Sequence, residues 1–241
     1  MIAIKNKKGI VVRIDIKNKE GKVIHKYDVG VYNLDGQFSI DTFAAADFSG
    51  LNLRNANLKG ADFENAILKG ADLSGANLAG ANLEGANMKG ANLSGANLKG
   101  AILEETNLKE ANLDGANLKG ANLSRANLHC ADLEWANLEG ADLRYAEMVS
   151  VQLTDANLKT ANLQGANLGM ANLDGADLES ANLSYANLED SNLKGVNFDG
   201  ADLTEANLSS ADLGKGLGGA ILDNTDLQGA RFCGYKLVKV S

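Results

Sequence analysis

A five-residue unit recurs without a slip from Ala46 to Leu213. It opens as ADFSG, LNLRN, ANLKG, ADFEN, and it sets a large apolar residue, nearly always Leu or Phe, at 48, 53, 58 and every fifth position to 213, 34 units in all. Ala stands two places before most of these central residues. On an α-helix, at about 100° per residue, a step of five drifts by roughly 140° and smears the Leu residues around the axis. On a flat strand the same step puts successive Leu residues on opposite faces. A chain that turns a corner once per unit keeps both Ala and Leu inside. Four corners close a coil of about 20 residues, and coils stack at roughly 4.8 Å. The two residues after Leu then point out. Gly is frequent at the second of them, as expected of a turn that needs φ > 0.

The composition fits such a rod. With 27 Gly, no Pro and 5% aromatic residues, the chain has many small apolar groups and few large ones. Each inward Leu contributes roughly 1.5–3 kcal/mol, and stability becomes nearly a sum over neighbouring coils.

Units such as ANLKG, ADLSG and ANLEG resemble the A(D/N)LXX repeat of pentapeptide-repeat proteins. The resemblance covers about four-fifths of the chain. It implies an all-β fold, a right-handed quadrilateral β-helix, over residues 36–213.

The ends depart from the pattern. Phe38, Phe43, Phe48 and Phe63 hold central positions at the start, with Phe43 and Phe63 one coil apart on one face, and are expected to widen and seal that end. Residues 1–35 read as a β-hairpin: Ile10–Ile16 alternates, Asn18–Gly21 turns, and Lys22–Tyr27 returns. A solenoid end exposes core and an unpaired edge, so this hairpin is expected to be a cap. Beyond Leu213 the register loses one residue, passing to Leu217, then Leu222, Leu227, Phe232 and Leu237. Residues 214–241 are therefore expected to form an irregular turn, a register-shifted final coil and a C-terminal strand from Tyr235.

No catalytic, cofactor or metal constellation stands out. Gly214–Gly219 matches G-x-G-x-x-G, but repeats resume at Ala220 where a dinucleotide site needs a helix. His25 and His129 have no partners at ligand or triad spacing, and Cys130 and Cys233, about five coils apart, are read as free thiols. The chain is read as a non-enzyme without cofactors. No apolar run approaches the roughly 18 residues of a membrane span, and the first residues lack the apolar stretch of a signal peptide, so a bacterial-type cytoplasmic protein is expected. Nothing points to a membrane or a nucleic acid as direct ligand.

Outward positions carry the information about partners. Glu64, Glu84 and Glu104 form one expected ladder, and Lys69, Lys89 and Lys109 an opposite one on the next face. In the second half, Arg125, Cys130, Trp135, Tyr145, Met170 and Tyr185 stand where Gly is usual. Exposed aromatics beside Arg are typical of interface centres. Arg125, Trp135, Tyr145 and Tyr185, with Glu134 and Glu139, are taken as candidate contacts for a protein partner, and a module presenting a rigid face is the first reading of function.

Charge supplies an alternative. Of the net −8, residues 126–213 carry −12, spread around all four faces, over about 4.4 coils. That is about one charge per 1.8 Å, against about one per 1.7 Å in duplex DNA. Some pentapeptide-repeat proteins bind type II topoisomerases by imitating duplex DNA with an acidic rod. The resemblance thus implies a second reading, a DNA-mimicking inhibitor or protector of DNA gyrase or another type II topoisomerase.

Overall fold

A computed structural model describes residues 11–17, 23–30, 43–214, 216–227, 231–232 and 235–236. From residue 43 the chain winds as a four-sided rod. Isolated parallel bridges join each residue before a central position to its counterpart 20 residues on, from Asp47 with Ile67 to Asn192 with Asp212. Every central residue from Phe43 to Leu213 is buried, with the Ala column beside it.

The reason for the unit lies in where its five amide N–H groups go. Residues 181–185 show it. Ala181 N–H closes the preceding turn on Leu178 O (3.0 Å), and Asn182 N–H reaches back one coil to Ala161 O (3.0 Å). Leu183 and Tyr185 N–H reach forward one coil, to Asp202 O (2.7 Å) and Thr204 O (2.9 Å). Ser184 N–H has no such carbonyl and donates to Oδ1 of Asn182 (2.9 Å). Asn or Asp therefore recurs before the central residue because a short side-chain acceptor completes the set. Asn adds a donor: Asn97 Nδ2 donates to Asn77 Oδ1 one coil away (3.1 Å), and similar bonds run along the rod, as stacked amides do in cross-β assemblies.

Each unit ends in a β-turn whose third residue has positive φ. This holds at all 34 corners from Ala45 to Ser210, with φ between 54° and 71°, although only 16 of them are Gly. The turn imposes the left-handed conformation whatever the side chain.

Three of the N-terminal aromatics pack together. Phe43 and Phe63 stack at 4.8 Å, and Phe48 meets both edge-on at 5.5 and 5.6 Å. Phe38 lies outside the described residues. The hairpin is present as β1 (Val11–Lys17) and β2 (Val23–Gly30), antiparallel.

At the other end the lost residue shortens one coil. Bridges now join Asp202 to Ile221 and Asn207 to Asp226, 19 apart. Gly214, Gly216 and Gly218 all have positive φ and absorb the change. Where a strand is expected from Tyr235, the described residues form an antiparallel pair, β3 (Arg231–Phe232) with β4 (Tyr235–Lys236). Phe232 thus leaves the parallel stacking that its spacing suggested. The remainder of that strand, and Cys233, lie outside the described residues.

Candidate functional site: one edge of the rod

Because a coil is 20 residues, corner positions 20 apart stand in line. Arg125, Tyr145, Gly165, Tyr185 and Glu205 form one edge, called the Tyr145 edge. Cys130, Ser150, Met170 and Asp190 form the next, Trp135, Asp155 and Gly175 the third, and Gly140, Thr160 and Ser180 the fourth.

This register divides the six candidate contacts. Arg125, Tyr145 and Tyr185 share an edge. Trp135 stands on the diagonally opposite edge, because ten residues are two corners. Glu134 and Glu139 flank Trp135 on the two faces that meet there, and Glu139 is engaged by Lys119 (2.8 Å). The structure therefore brings three of the six together and places the other three on the far side of the rod.

Four apolar side chains protrude at corners: Tyr145 at 56% exposure, Met170 at 62%, Tyr185 at 62% and Trp135 at 64%. All have φ between 56° and 61°, a region bulky L residues avoid. The Tyr145 ring lies over Gly165, where a Cβ would come within 2.7 Å of two ring carbons. Arg125 reaches back to Glu105 (3.7 Å), and both side chains stay exposed.

The face between the Tyr145 and Met170 edges adds residues that chain proximity alone does not group. Val149 is half-buried there, and Gly169, one coil on, is buried and leaves a side-chain-free notch. A Cβ on Gly169 would contact the Asn167 and Asn187 amides at 3.5 and 3.4 Å. The signal for these residues was available as residue numbers compared in steps of 20.

Carboxylates are distributed unevenly. Of the 15 in residues 126–213, nine occupy the two faces that meet at the Trp135 edge, or that edge itself. All three cations of this stretch are paired. Arg144 grips Asp142 through Nη2 (2.6 Å) and Nε (2.9 Å), and that hydrogen bonding holds the Asp142 carboxyl below its usual range against the opposing effect of partial burial. Lys159 sits between Glu179 (2.6 Å) and Asp177 (3.1 Å), which raise its pKa. Lys194 meets Asp212 at 3.1 Å. In the first half, Lys89 and Lys109 of the Lys ladder both approach Glu110, at 3.6 and 3.9 Å.

Among the described residues no group of three His, Cys, Asp or Glu side chains is placed to hold a metal ion. Nor do the described residues include a helix long and apolar enough to cross a membrane. Cys130 is an exposed free thiol at a corner.

Comparison with known proteins adds the lineage. A family model described as pentapeptide repeats matches in eight copies between residues 42 and 215. A solved structure of HetL, a pentapeptide repeat protein involved in heterocyst differentiation regulation from the cyanobacterium Nostoc sp. strain PCC 7120, is similar with TM-score 0.65 and 30% identity, over 82% of this chain and 91% of its own. Rfr23, a pentapeptide repeat protein from the cyanobacterium Cyanothece 51142, has 32% identity over 48% of this chain and 89% of its own, with TM-score 0.44. QnrB1, a plasmid-mediated fluoroquinolone resistance protein, has 27% identity over 74% and 92%, with TM-score 0.48. A comparison with curated protein sequences gave no significant match. The coil length, the buried Ala and Leu columns and the family match together place this chain in the pentapeptide-repeat family, whose right-handed quadrilateral β-helix is its fold.

Proposed function

We propose that the chain is a non-enzymatic binding module, a rigid rod that presents its Tyr145 edge to a protein partner. One coincidence carries this reading. Tyr145 and Tyr185 are more than half exposed, and both occupy left-handed corners that Gly fills without strain elsewhere. A bulky residue there costs roughly 1–2 kcal/mol, with little burial in return. Such a cost is expected to persist where a contact repays it. Arg125 on the same edge supplies the planar cation that interface centres favour. The N-terminal hairpin is assigned the role of a cap, because a rod end presents apolar core and unpaired backbone.

The test is in-cell photocrosslinking with Tyr185→p-benzoylphenylalanine, against Asp155→p-benzoylphenylalanine on the diagonal edge. The reading expects discrete protein adducts from position 185 and none from 155. Equal patterns from both positions would refute it.

The carboxylates gathered about the Trp135 edge favour a second reading, DNA mimicry toward a type II topoisomerase. Supercoiling by purified gyrase tests it. Inhibition or protection that disappears in Glu134→Gln/Asp174→Asn/Glu179→Gln would support mimicry, and no effect at micromolar protein would exclude it.

A further inference from the structure

The Tyr145 edge has a charged frame that suggests what chemistry its partner brings. Glu147 and Glu189 lie on the face between the Tyr145 and Met170 edges, Asp190 follows Met170 along its edge, and Glu205 follows Tyr185. All four are exposed. Glu147 accepts a hydrogen bond from Asn167 Nδ2 (3.0 Å), and Glu205 accepts one from Asn224 Nδ2 (3.0 Å). Neutral amides leave both carboxylates with their charge. Among the described residues, no Lys or Arg forms an ion pair with any of the four. The nearest cation in sequence to Tyr145, Arg144, is turned onto Asp142.

We infer that this face docks a cationic amphipathic protein segment, one carrying large apolar side chains flanked by Lys or Arg. The inference rests on the binding-module reading above and names the chemistry of the partner. Tyr145, Met170, Tyr185 and the Gly169 notch receive the apolar side chains, and the four carboxylates receive the charges. Desolvating a carboxylate frame against a neutral or acidic segment would leave unpaired charge, which opposes such partners. The same frame repels phosphate-bearing surfaces, so nucleic acid and anionic lipid are disfavoured. Tyr145 and Tyr185 are two coils apart, about 9.6 Å at the usual inter-strand spacing. Two turns of an α-helix advance about 10.8 Å, so a helix lying along the rod axis keeps near register over this length.

The experiment is selection from a displayed library of random peptides of about fifteen residues on the full chain, followed by affinity measurement for the enriched peptides. The expected winners combine several Lys or Arg with aromatic or branched apolar residues. They bind Tyr145→Gly/Tyr185→Gly, whose charge is unchanged, at least tenfold more weakly. Against Glu189→Gln/Asp190→Asn they lose affinity and show a shallower salt dependence. Enrichment of neutral or acidic peptides, binding indifferent to Tyr145→Gly/Tyr185→Gly, or no enrichment would overturn the inference. Its failure is separable from failure of the parent reading. Crosslinks from position 185 to a partner that lacks a cationic segment would sink only the inference, whereas indistinguishable crosslinks from 185 and 155 would sink the parent reading.

Discussion

The Tyr145 ring covers Gly165 one coil along the same edge, so closely that a Cβ on Gly165 would come within 2.7 Å of two ring carbons. Gly165 thus serves two needs, a left-handed φ of 66° and a bare surface for the ring. Gly165→Ala is expected to cost about 1–2 kcal/mol and to displace the ring. In a Tyr145→Gly background only the backbone part should remain. Denaturant unfolding of the four proteins in this cycle measures the coupling, and simple additivity would show that ring and glycine are independent.

Trp135 is 64% exposed at φ 57°. Trp135→Gly relieves the left-handed strain but enlarges the freedom of the unfolded chain. A net gain of about 0.5–1 kcal/mol is expected, read as a higher denaturant midpoint at unchanged slope. A loss of stability would mean that the indole packs usefully on the rod.

Asn97 accepts from Lys99 N–H (3.2 Å), donates to Asn77 Oδ1 (3.1 Å) and accepts from Asn117 Nδ2 (3.4 Å). Asn97→Ala removes all three and should cost about 1–3 kcal/mol. Asn97→Asp keeps both acceptor roles and should cost less. Thermal unfolding ranks the two, and equal losses would deny the turn bond its importance.

The hydrogen bonds from Arg144 hold the Asp142 carboxyl below the usual carboxylate range. A depressed folded pKa gives stability that is present above the unfolded value and lost as pH falls through the folded one. Asp142→Asn should therefore be less stable than the parent at neutral pH, by up to about 1 kcal/mol for so exposed a pair. The difference should vanish below the usual carboxylate range. A difference independent of pH would assign the effect to something other than ionisation.

The rod was legible because its constraint is periodic. A five-residue step with Ala and Leu has few backbone solutions, so Leu53, Leu133 and Leu213 could each be placed inside from their numbers. The corners were legible only by type: Gly suggested positive φ, but Tyr185 at φ 61° shows that geometry overrides preference there. Grouping was harder. Trp135 and Tyr145 are close in the chain, and both break the Gly habit, yet half a coil separates them. Gly169 and Met170 are distant from Tyr145 in the chain and lie beside its edge on the rod, so a surface is assembled from residues that no local window contains. At the C-terminus, Phe232 kept the five-residue spacing but joined an antiparallel pair with Tyr235, because spacing alone does not specify which backbone groups remain to be paired.

The most direct measurement is the affinity of the partner crosslinked at position 185 for the parent chain and for Tyr145→Gly/Tyr185→Gly, with unfolding followed on the same samples. The account predicts binding weakened at least tenfold while the rod is no less stable. Unchanged affinity would contradict it.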